Sequence, residues 1–306
     1  MLVDLFFEID EFCQKYNSGI SNMLNYLGLC SQLDQGELSL SEIMTILVYY
    51  HQSSYKNFKS YYLKHVLIDL KREFPKIISY NRFIELIPRC TWVLYGFMKH
   101  QMLYSRKTNI YFIDSAKLIA CHPRRKHQHK VMVGLAAWGK TSTGWFFGMK
   151  YHLVINQYGE LMDVVLTSGN VSDNNISVLA RLTDKVSGWI FGDRGYLLNS
   201  EKKWFIEHEG RIVWSAKQRK NAKVKDELPH LAKLWKAKRG LIESVINIHK
   251  SDCNIEHTRH RSPINAITNI LAALCAYNFK ERKPSAQIKV KDFYLEKGKE
   301  YILMAA

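Results

Sequence analysis

The texture of this 306-residue sequence breaks near residue 105, and the break limits the folds open to it. Before it, apolar residues recur at helical spacing: Leu2, Leu5, Phe6 and Ile9, then Phe12. Residues 39–50 repeat the signal, with Ser39 or Ser41 as cap, Glu42 after it, and Ile43, Ile46 and Leu47 on one face. Phe58, Tyr61, Tyr62, Val66 and Leu70 predict a third helix that Pro75 stops, and residues 80–87 predict another. After the break, β-rich runs take over. Residues 109–113 predict a strand ending at Asp114. Residues 146–156 and 161–167 predict two more, joined by a hairpin turn at Gln157-Tyr158-Gly159. Ser172-Asp173 is positioned to cap a helix running toward Leu182. Residues 188–192 form a short apolar run ending at Asp193, and residues 211–215 form another. A hairpin followed by strand–helix alternation predicts a mixed α/β domain behind an all-α one. Residues 241–250 read as helix, and Ser262-Pro263 starts an apolar helix over residues 264–279. The lysine-rich residues 218–239 read as an exposed connector.

Charge divides at the same place. Residues 1–105 hold ten basic and ten acidic residues, so the whole excess of +16 lies in residues 106–306. Such asymmetry predicts a polyanion partner for the basic part, nucleic acid by default, because cations along its backbone gain affinity by releasing counterions. No apolar run reaches the roughly 18 residues of a membrane span. The opening Met1-Leu2-Val3-Asp4 turns acidic, unlike a secretion signal. Six cysteines without a C-x-x-C pair give no disulfide framework, which fits a cytoplasmic setting. The neutral helical block fits a helix-turn-helix DNA-binding module or a dimerisation module equally well.

Three acids stand out. Asp114 and Asp193 each follow an apolar strand, and in open α/β sheets sites gather at strand ends. Small or cationic residues flank them: Ser115, Gly192, Arg194 and Gly195. The third acid comes from helix geometry. Counting about 100° per residue from Arg239, Glu243 lies near about 40° and Lys250 near about 20°, while Leu241, Val245 and Ile248 fall between about 180° and about 240°. An apolar stripe thus docks the helix, and Arg239, Glu243 and Lys250 project from its other side. Clustered carboxylates repel unless a cation neutralises them. Magnesium suits carboxylate oxygens and keeps water positions open for phosphate oxygens. Two such ions serve in-line phosphoryl displacement.

These residues form a familiar set. Arg239-x3-Glu243-x6-Lys250 resembles the glutamate-helix signature of DDE transposases of bacterial insertion sequences. Ile113-Asp114-Ser115 and Gly192-Asp193-Arg194-Gly195-Tyr196 resemble that family's two aspartate motifs. GKTSTGWFFGMKYHL over residues 139–153 is similar to insertion-sequence family nine-eight-two, as is LTSGNVSD over residues 166–173. The likeness covers about residues 109–279. One position departs: many relatives carry tyrosine three residues before the signature arginine, where this chain has Lys236.

The resemblance implies an RNase H-like catalytic domain over residues 106–282, with a mixed five-stranded sheet and flanking helices. The all-α domain of residues 1–105 precedes it, and a basic tail, residues 283–306, follows. Asp114, Asp193 and Glu243 would converge on two Mg²⁺ ions, with Mn²⁺ as the alternative. The implied activity is cleavage at the 3′ ends of the element, then attack of the freed 3′-hydroxyl on target DNA. The implied partners are terminal inverted repeats, target DNA and at least one further copy of the chain, at the bacterial nucleoid. A nuclease or resolvase of the same fold, or a catalytically silent DNA-binding derivative, shares these features.

Further DNA contacts are expected from the basic run HPRRKHQHK over residues 122–130, through Arg124, Arg125, Lys126 and Lys130, and from Lys140 and Arg194. In the family pattern Lys150 and His152 sit on the strand beside the first aspartate's strand, near phosphate. Being two apart, they share one strand face. Cys121 with His122, His127 and His129, and Cys253 with His257 and His260, lack the paired spacing of a structural zinc site. Trp138, Trp145 and Trp214 are expected in the core rather than stacked on bases.

Overall fold

Residues 144–156 form an almost unbroken run of buried side chains, the pattern of a strand covered on both faces. They make an interior strand of a mixed sheet. A computed structural model of the chain describes residues 2–28, 38–141, 143–207, 210–217, 228–256 and 260–288. Along the chain lie α1 (Leu2–Lys15), α2 (Asn17–Tyr26), α3 (Leu40–Tyr50), α4 (Phe58–Tyr61) continued by a π-helical stretch (Tyr62–Asp69), and α5 (Tyr80–Leu103). The sheet and its helices follow: β1 (Ile110–Cys121), β2 (Ala137–Thr141), β3 (Gly144–Asn156), β4 (Leu161–Ser168), α6 (Ile176–Thr183), β5 (Gly188–Gly192), α7 (Ser200–Glu207), β6 (Ile212–Ala216), α8 (His230–Ala237), α9 (Gly240–Ser251) and α10 (Pro263–Asn278).

The strand order is β2-β3-β1-β5-β6, with β4 also on β3. β1 lies antiparallel along one edge of β3. β2 pairs with Gly144–Gly148 and β4 with Met149–Ile155, so these two lie end to end on the other edge. Among the described residues the sheet is therefore five strands wide. β1, β5 and β6 run parallel, with α7 supplying the crossover between the last two. This is the mixed α/β architecture expected, with helices preceding the sheet.

Alternation along β1 assigns the two faces. Tyr111 and Ile113 join Val178, Leu179, Leu182 and Ile206, the cluster beneath α6 and α7. Phe112 and Ala116 join the cluster that includes Leu241, Ile242 and Val245 of α9 and residues 270–277 of α10. That second cluster continues without interruption into α1, α3 and α5. Thr91 of α5 and Thr268 of α10 share a buried hydroxyl–hydroxyl bond of 2.6 Å. His51 meets the Cys253 carbonyl at 2.6 Å, and Asn254 donates to the Tyr50 hydroxyl at 3.1 Å. The break at residue 105 is a change of element type inside one core.

Several local expectations need correction. The first strand does not stop at Asp114. It runs to Cys121, because Ala116, Leu118 and Ala120 keep the period-2 pattern and β3 pairs with it throughout. α5 continues through Pro88 to Leu103. Burial of Leu86, Ile87, Cys90, Val93, Leu94 and Phe97 along one face offsets the backbone bond that proline removes. α6 is capped by Asn175, whose Oδ1 accepts from Ser177 N and Val178 N, and not by Ser172-Asp173. Part of the lysine-rich connector is α8, held by buried Ala232 and Trp235; residues 218–227 and the tail beyond 288 lie outside the described residues. α3 is buried on nearly every side, which leaves it no face for a DNA groove.

Candidate active site at the strand ends

Asp114 sits within β1 on the face that carries α9. Its Oδ1 accepts from Ser115 N at 2.8 Å. Asp193 follows β5, the neighbour of β1, and opens a tight 3₁₀ turn, Arg194–Tyr196. Its Oδ1 accepts from Gly195 N at 2.7 Å, which fixes the side chain over the strand end. Parallel pairing of β1 with β5 brings the two aspartates into one electrostatic neighbourhood.

The third acid reaches this place through a cation. Arg239 stands at the N-terminal end of α9. Its guanidinium pairs with Glu243 at 2.9 Å and with Asp114 at 3.8 Å. Glu243 is otherwise exposed at 62% of its side chain, whereas Asp114 and Arg239 are less than one-fifth exposed. The helical count agrees with the structure: Leu241 and Val245 are buried, and Arg239 and Glu243 lie on the other side. Lys250, two turns on, donates to the Lys117 carbonyl at 3.0 Å and pairs with Glu256 at 3.3 Å. Glu256 also accepts from Ile119 N at 3.0 Å, beside the irregularity in β1.

Asp114 carries the electrostatic signature of the cluster. Burial is the main cause pushing its carboxyl up to about 7; the Asp193 and Asp173 charges add to the rise, while the Ser115 amide and Arg239 oppose it. A carboxylate pocket of this kind favours an incoming cation. Its donors are all oxygens, as a hard divalent ion prefers. Among the described residues, no three acidic, histidine or cysteine side chains are grouped closely enough to hold a metal ion. Arg239 already occupies Glu243, so the oxygen chemistry fits a cation while the third carboxylate is engaged elsewhere.

Asp173 is a fourth acid, expected from the sequence only as a helix cap. Its Oδ1 accepts from Ser115 Oγ at 2.7 Å and from Lys150 Nζ at 3.1 Å. Lys150 and His152 are buried. They pair across the ladder with Lys117 and Ser115, so alternation turns them to the sheet face opposite Asp114. Lys150 also donates to the Val171 carbonyl at 2.9 Å, and His152 meets Thr167 at 3.0 Å. Both are on the expected strand, and both are held by protein partners behind the first aspartate. Signals for Asp173 existed: Asn175 is nearer the apolar run of α6, which freed Asp173 from capping.

The remaining basic candidates lie on the surface. Arg124 and Arg125 are exposed and Lys126 half-buried on a 3₁₀ turn, Pro123–Gln128, that follows β1; Lys130 is exposed just beyond. Arg194 is exposed beside Asp193. Lys140 is exposed on β2, its ammonium 5.5 Å from the centre of the Trp145 ring. Trp214 is buried, as expected. Trp145 is not: it is 63% exposed, because it stands at the tip of the β2–β3 hairpin, before the buried run of β3 begins. Lys236, three residues before Arg239, donates to the Ala216 carbonyl at 2.9 Å and to Ser215 Oγ at 3.2 Å, closing the end of β6.

Titration at these positions has a measurable consequence. Burial pushes His249, packed against Tyr151 and Tyr277, down to about 3. Burial likewise pushes His152 down to about 4. Unfolded, both take a proton near about 6.5. Between roughly pH 6.5 and 4 the unfolded chain therefore binds two protons that the folded chain refuses, while Asp114 works oppositely and keeps one proton in the folded chain. Among these three groups the balance is one proton, about 1.4 kcal/mol lost per pH unit of acidification. Urea unfolding at pH 6.5, 5.5 and 4.5 should show a loss on acidification, and His249→Leu should lower the slope by about 1.4 kcal/mol per pH unit. An unchanged slope in that variant excludes His249 as the source.

Residues 104–263, more than half the chain, match the family described as Transposase DDE domain. No curated protein matches the chain, and no solved structure does.

Proposed function

The chain belongs to the transposase DDE-domain family, and on that premise we propose that it is an insertion-sequence transposase of family nine-eight-two, using Asp114, Asp193 and Glu243 on DNA. The observation that carries the reading is the meeting of two aspartates at adjacent parallel strands with a cation-bridged glutamate from α9. DDE transposase domains generally work with divalent metals. Here the ions would be two Mg²⁺, or Mn²⁺, held by the three carboxylates. A metal so held supplies an activated water and stabilises the leaving oxygen of a phosphodiester.

The residues of the chain supply the rest. Asp193, fixed by Gly195 N, and Asp114, fixed by Ser115 N, present oxygens in set directions. Glu243 joins them when Arg239 releases it. The freed guanidinium then has a phosphate to hold, since Arg239 matches phosphate as well as carboxylate. Lys250, close to β1 at Lys117, extends that grip along the strand. Arg124, Arg125, Lys126, Lys130, Lys140 and Arg194 give sequence-independent contacts to the backbone, and the exposed Trp145 beside Lys140 offers a stacking face for an unpaired base.

The expected partners are the element's terminal repeats, target DNA and a second copy of the chain. The expected location is the bacterial cytoplasm, at the nucleoid. Residues 1–105 are proposed as an end-recognition or pairing module, with α3 excluded as its DNA-reading helix by its burial. The deciding experiment is a strand-transfer assay with a pre-cut terminal-repeat duplex. Joining of its 3′-hydroxyl to a target plasmid supports a transposase. Cleavage without joining, on any duplex, makes the chain a nuclease.

The basic turn gives a separate expectation. Replacing Arg124, Arg125 and Lys126 by alanine should weaken DNA binding uniformly across sequences. It should also flatten the slope of log affinity against log salt by about 0.9 for each phosphate no longer neutralised by the protein. A titration at several salt concentrations that returns the wild-type slope removes this turn from the interface.

A further inference from the structure

The reverse side of the sheet, behind Asp114, holds a constellation that the three-acid reading leaves unused. The loop after β4 carries Asp173 back across the sheet to Ser115, the residue next to Asp114, and to Lys150 on β3. Lys150 is 7% exposed and is also bound by the Val171 carbonyl, so the loop and the two strands are tied at one ion pair whose cation is buried. His152 Nδ1 lies 3.9 Å from the same Asp173 oxygen, fully buried and without a hydrogen-bond partner. The other Asp173 oxygen faces the turn that presents Asp193. A side chain added at Gly195 would come within 3.2 Å of Asp173 Oδ2 and 3.1 Å of Asp193 Oδ1. The turn therefore lies close against both carboxylates, and any side chain there would press on them. Tyr196, next in the turn, buries its hydroxyl in the same place, near Ser115.

We propose that Asp173 is a positioning residue of the active site: it fixes β1 at Asp114 through Ser115 and braces the Asp193 turn at Gly195, so that both aspartates are held ready for a divalent cation. The proposal rests on the transposase reading for its substrate, but its contacts and its first readout do not. Lys150 serves here as the buried counter-charge that keeps Asp173 in place. It explains why a lysine two residues from His152 faces away from the metal-binding acids. Partners that orient metal ligands in this way typically change metal affinity or activity by about 10-fold to about 100-fold when removed.

The test uses the full chain and Mn²⁺ as the probe. Mn²⁺ binding is measured by electron paramagnetic resonance, beside the Mg²⁺ dependence of terminal-repeat cleavage and the thermal midpoint. Asp173→Ala should weaken Mn²⁺ binding by about 10-fold or more, and Ser115→Ala should weaken it less. Asp173→Asn keeps an oxygen that accepts from Ser115 and Lys150, so it should recover most of the loss. Should Asp173→Ala fail to fold, Ser115→Ala and Asp173→Asn carry the comparison. Wild-type Mn²⁺ affinity in Asp173→Ala or Ser115→Ala overturns the proposal. An Asp173→Asn variant as impaired as Asp173→Ala overturns it too, since the oxygen contacts to Ser115 and Lys150 would then not be what holds the two aspartates. A wild-type chain that binds Mn²⁺ but cleaves no DNA refutes the transposase reading while leaving the role of Asp173 to the binding comparison; no Mn²⁺ binding at all refutes both.

Discussion

Changing Asp193 to asparagine should remove metal-dependent strand cleavage by at least about a thousandfold, roughly 4 kcal/mol of barrier, while DNA binding stays near wild type. The substitution is almost isosteric. The asparagine oxygen still accepts from Gly195 N, so the turn after β5 keeps its shape. What disappears is one negative charge at the place proposed to hold a cation. The basic turn after β1 and the β2–β3 hairpin, the proposed DNA contacts, are untouched, so binding should persist. Asp114→Asn should lose cleavage to the same degree but behave differently in stability. The folded chain resists ionising Asp114, whose carboxyl is pushed up to about 7, mainly by burial. At pH 7.5 the ionised form is therefore a cost that a neutral amide removes, and Asp114→Asn should melt higher than the wild type. At pH 5 both forms are uncharged there and the difference should shrink. Gel-resolved cleavage of a terminal-repeat duplex and paired melts at the two pH values check both parts. Full cleavage by Asp193→Asn sinks the catalytic assignment; a lower melt for Asp114→Asn at pH 7.5 sinks the electrostatic account.

These residues also show where sequence reasoning reaches and where it stops. Asp193 was legible because a short apolar strand flanked by glycines ends abruptly, and the backbone turns there. Glu243 was legible because helical periodicity is a property of the chain itself: buried Leu241 and Val245 fix which side Arg239 and Glu243 take. Asp114 was found for a reason that needed amendment. It lies inside β1, and the alternating residues after it continue the strand. Lys150 and His152 were placed on the right strand, yet their facing depends on the register of β3 against β1, which pairs Ser115 with His152 and Leu153 with Asp114. Register is a contact between distant segments, and no local pattern encodes it. The same holds for Asp173, which is 58 residues from Ser115. Pro88 misled for a different reason: local propensity ends a helix there, and tertiary burial along α5 overrides it.

Removing residues 1–105 should leave a chain that does not fold cooperatively as a soluble monomer, although the matched family segment is retained almost whole. The reason is the seam between α5 and α10. Val93, Leu94, Phe97 and Met98 are at most 1% exposed, and they belong to the same cluster as Ala272, Ala273, Leu274 and Cys275. α10 is buried along most of its length and caps the sheet face that also carries α9. Truncation would strip the covering from that helix and leave Thr268 without Thr91 and Cys253's carbonyl without His51. Each large apolar side chain returned to water costs about 1.5–3 kcal/mol, and several are uncovered together, against a total stability of about 5–15 kcal/mol for a domain. Residues 106–288 expressed alone should thus show no sharp thermal transition and should bind a hydrophobic dye, whereas the full chain melts cooperatively. A milder variant separates packing from mere chain length: Leu94→Ala in the full protein should cost about 2–5 kcal/mol, through the cavity it opens against α10. A truncated chain with a sharp melt would mean that the sheet and its own helices suffice, and that α5 is a detachable cover. A loss in both variants means that α5 and the layer carrying α9 stand on one core, so that the N-terminal helices and Glu243 belong to a single packed unit.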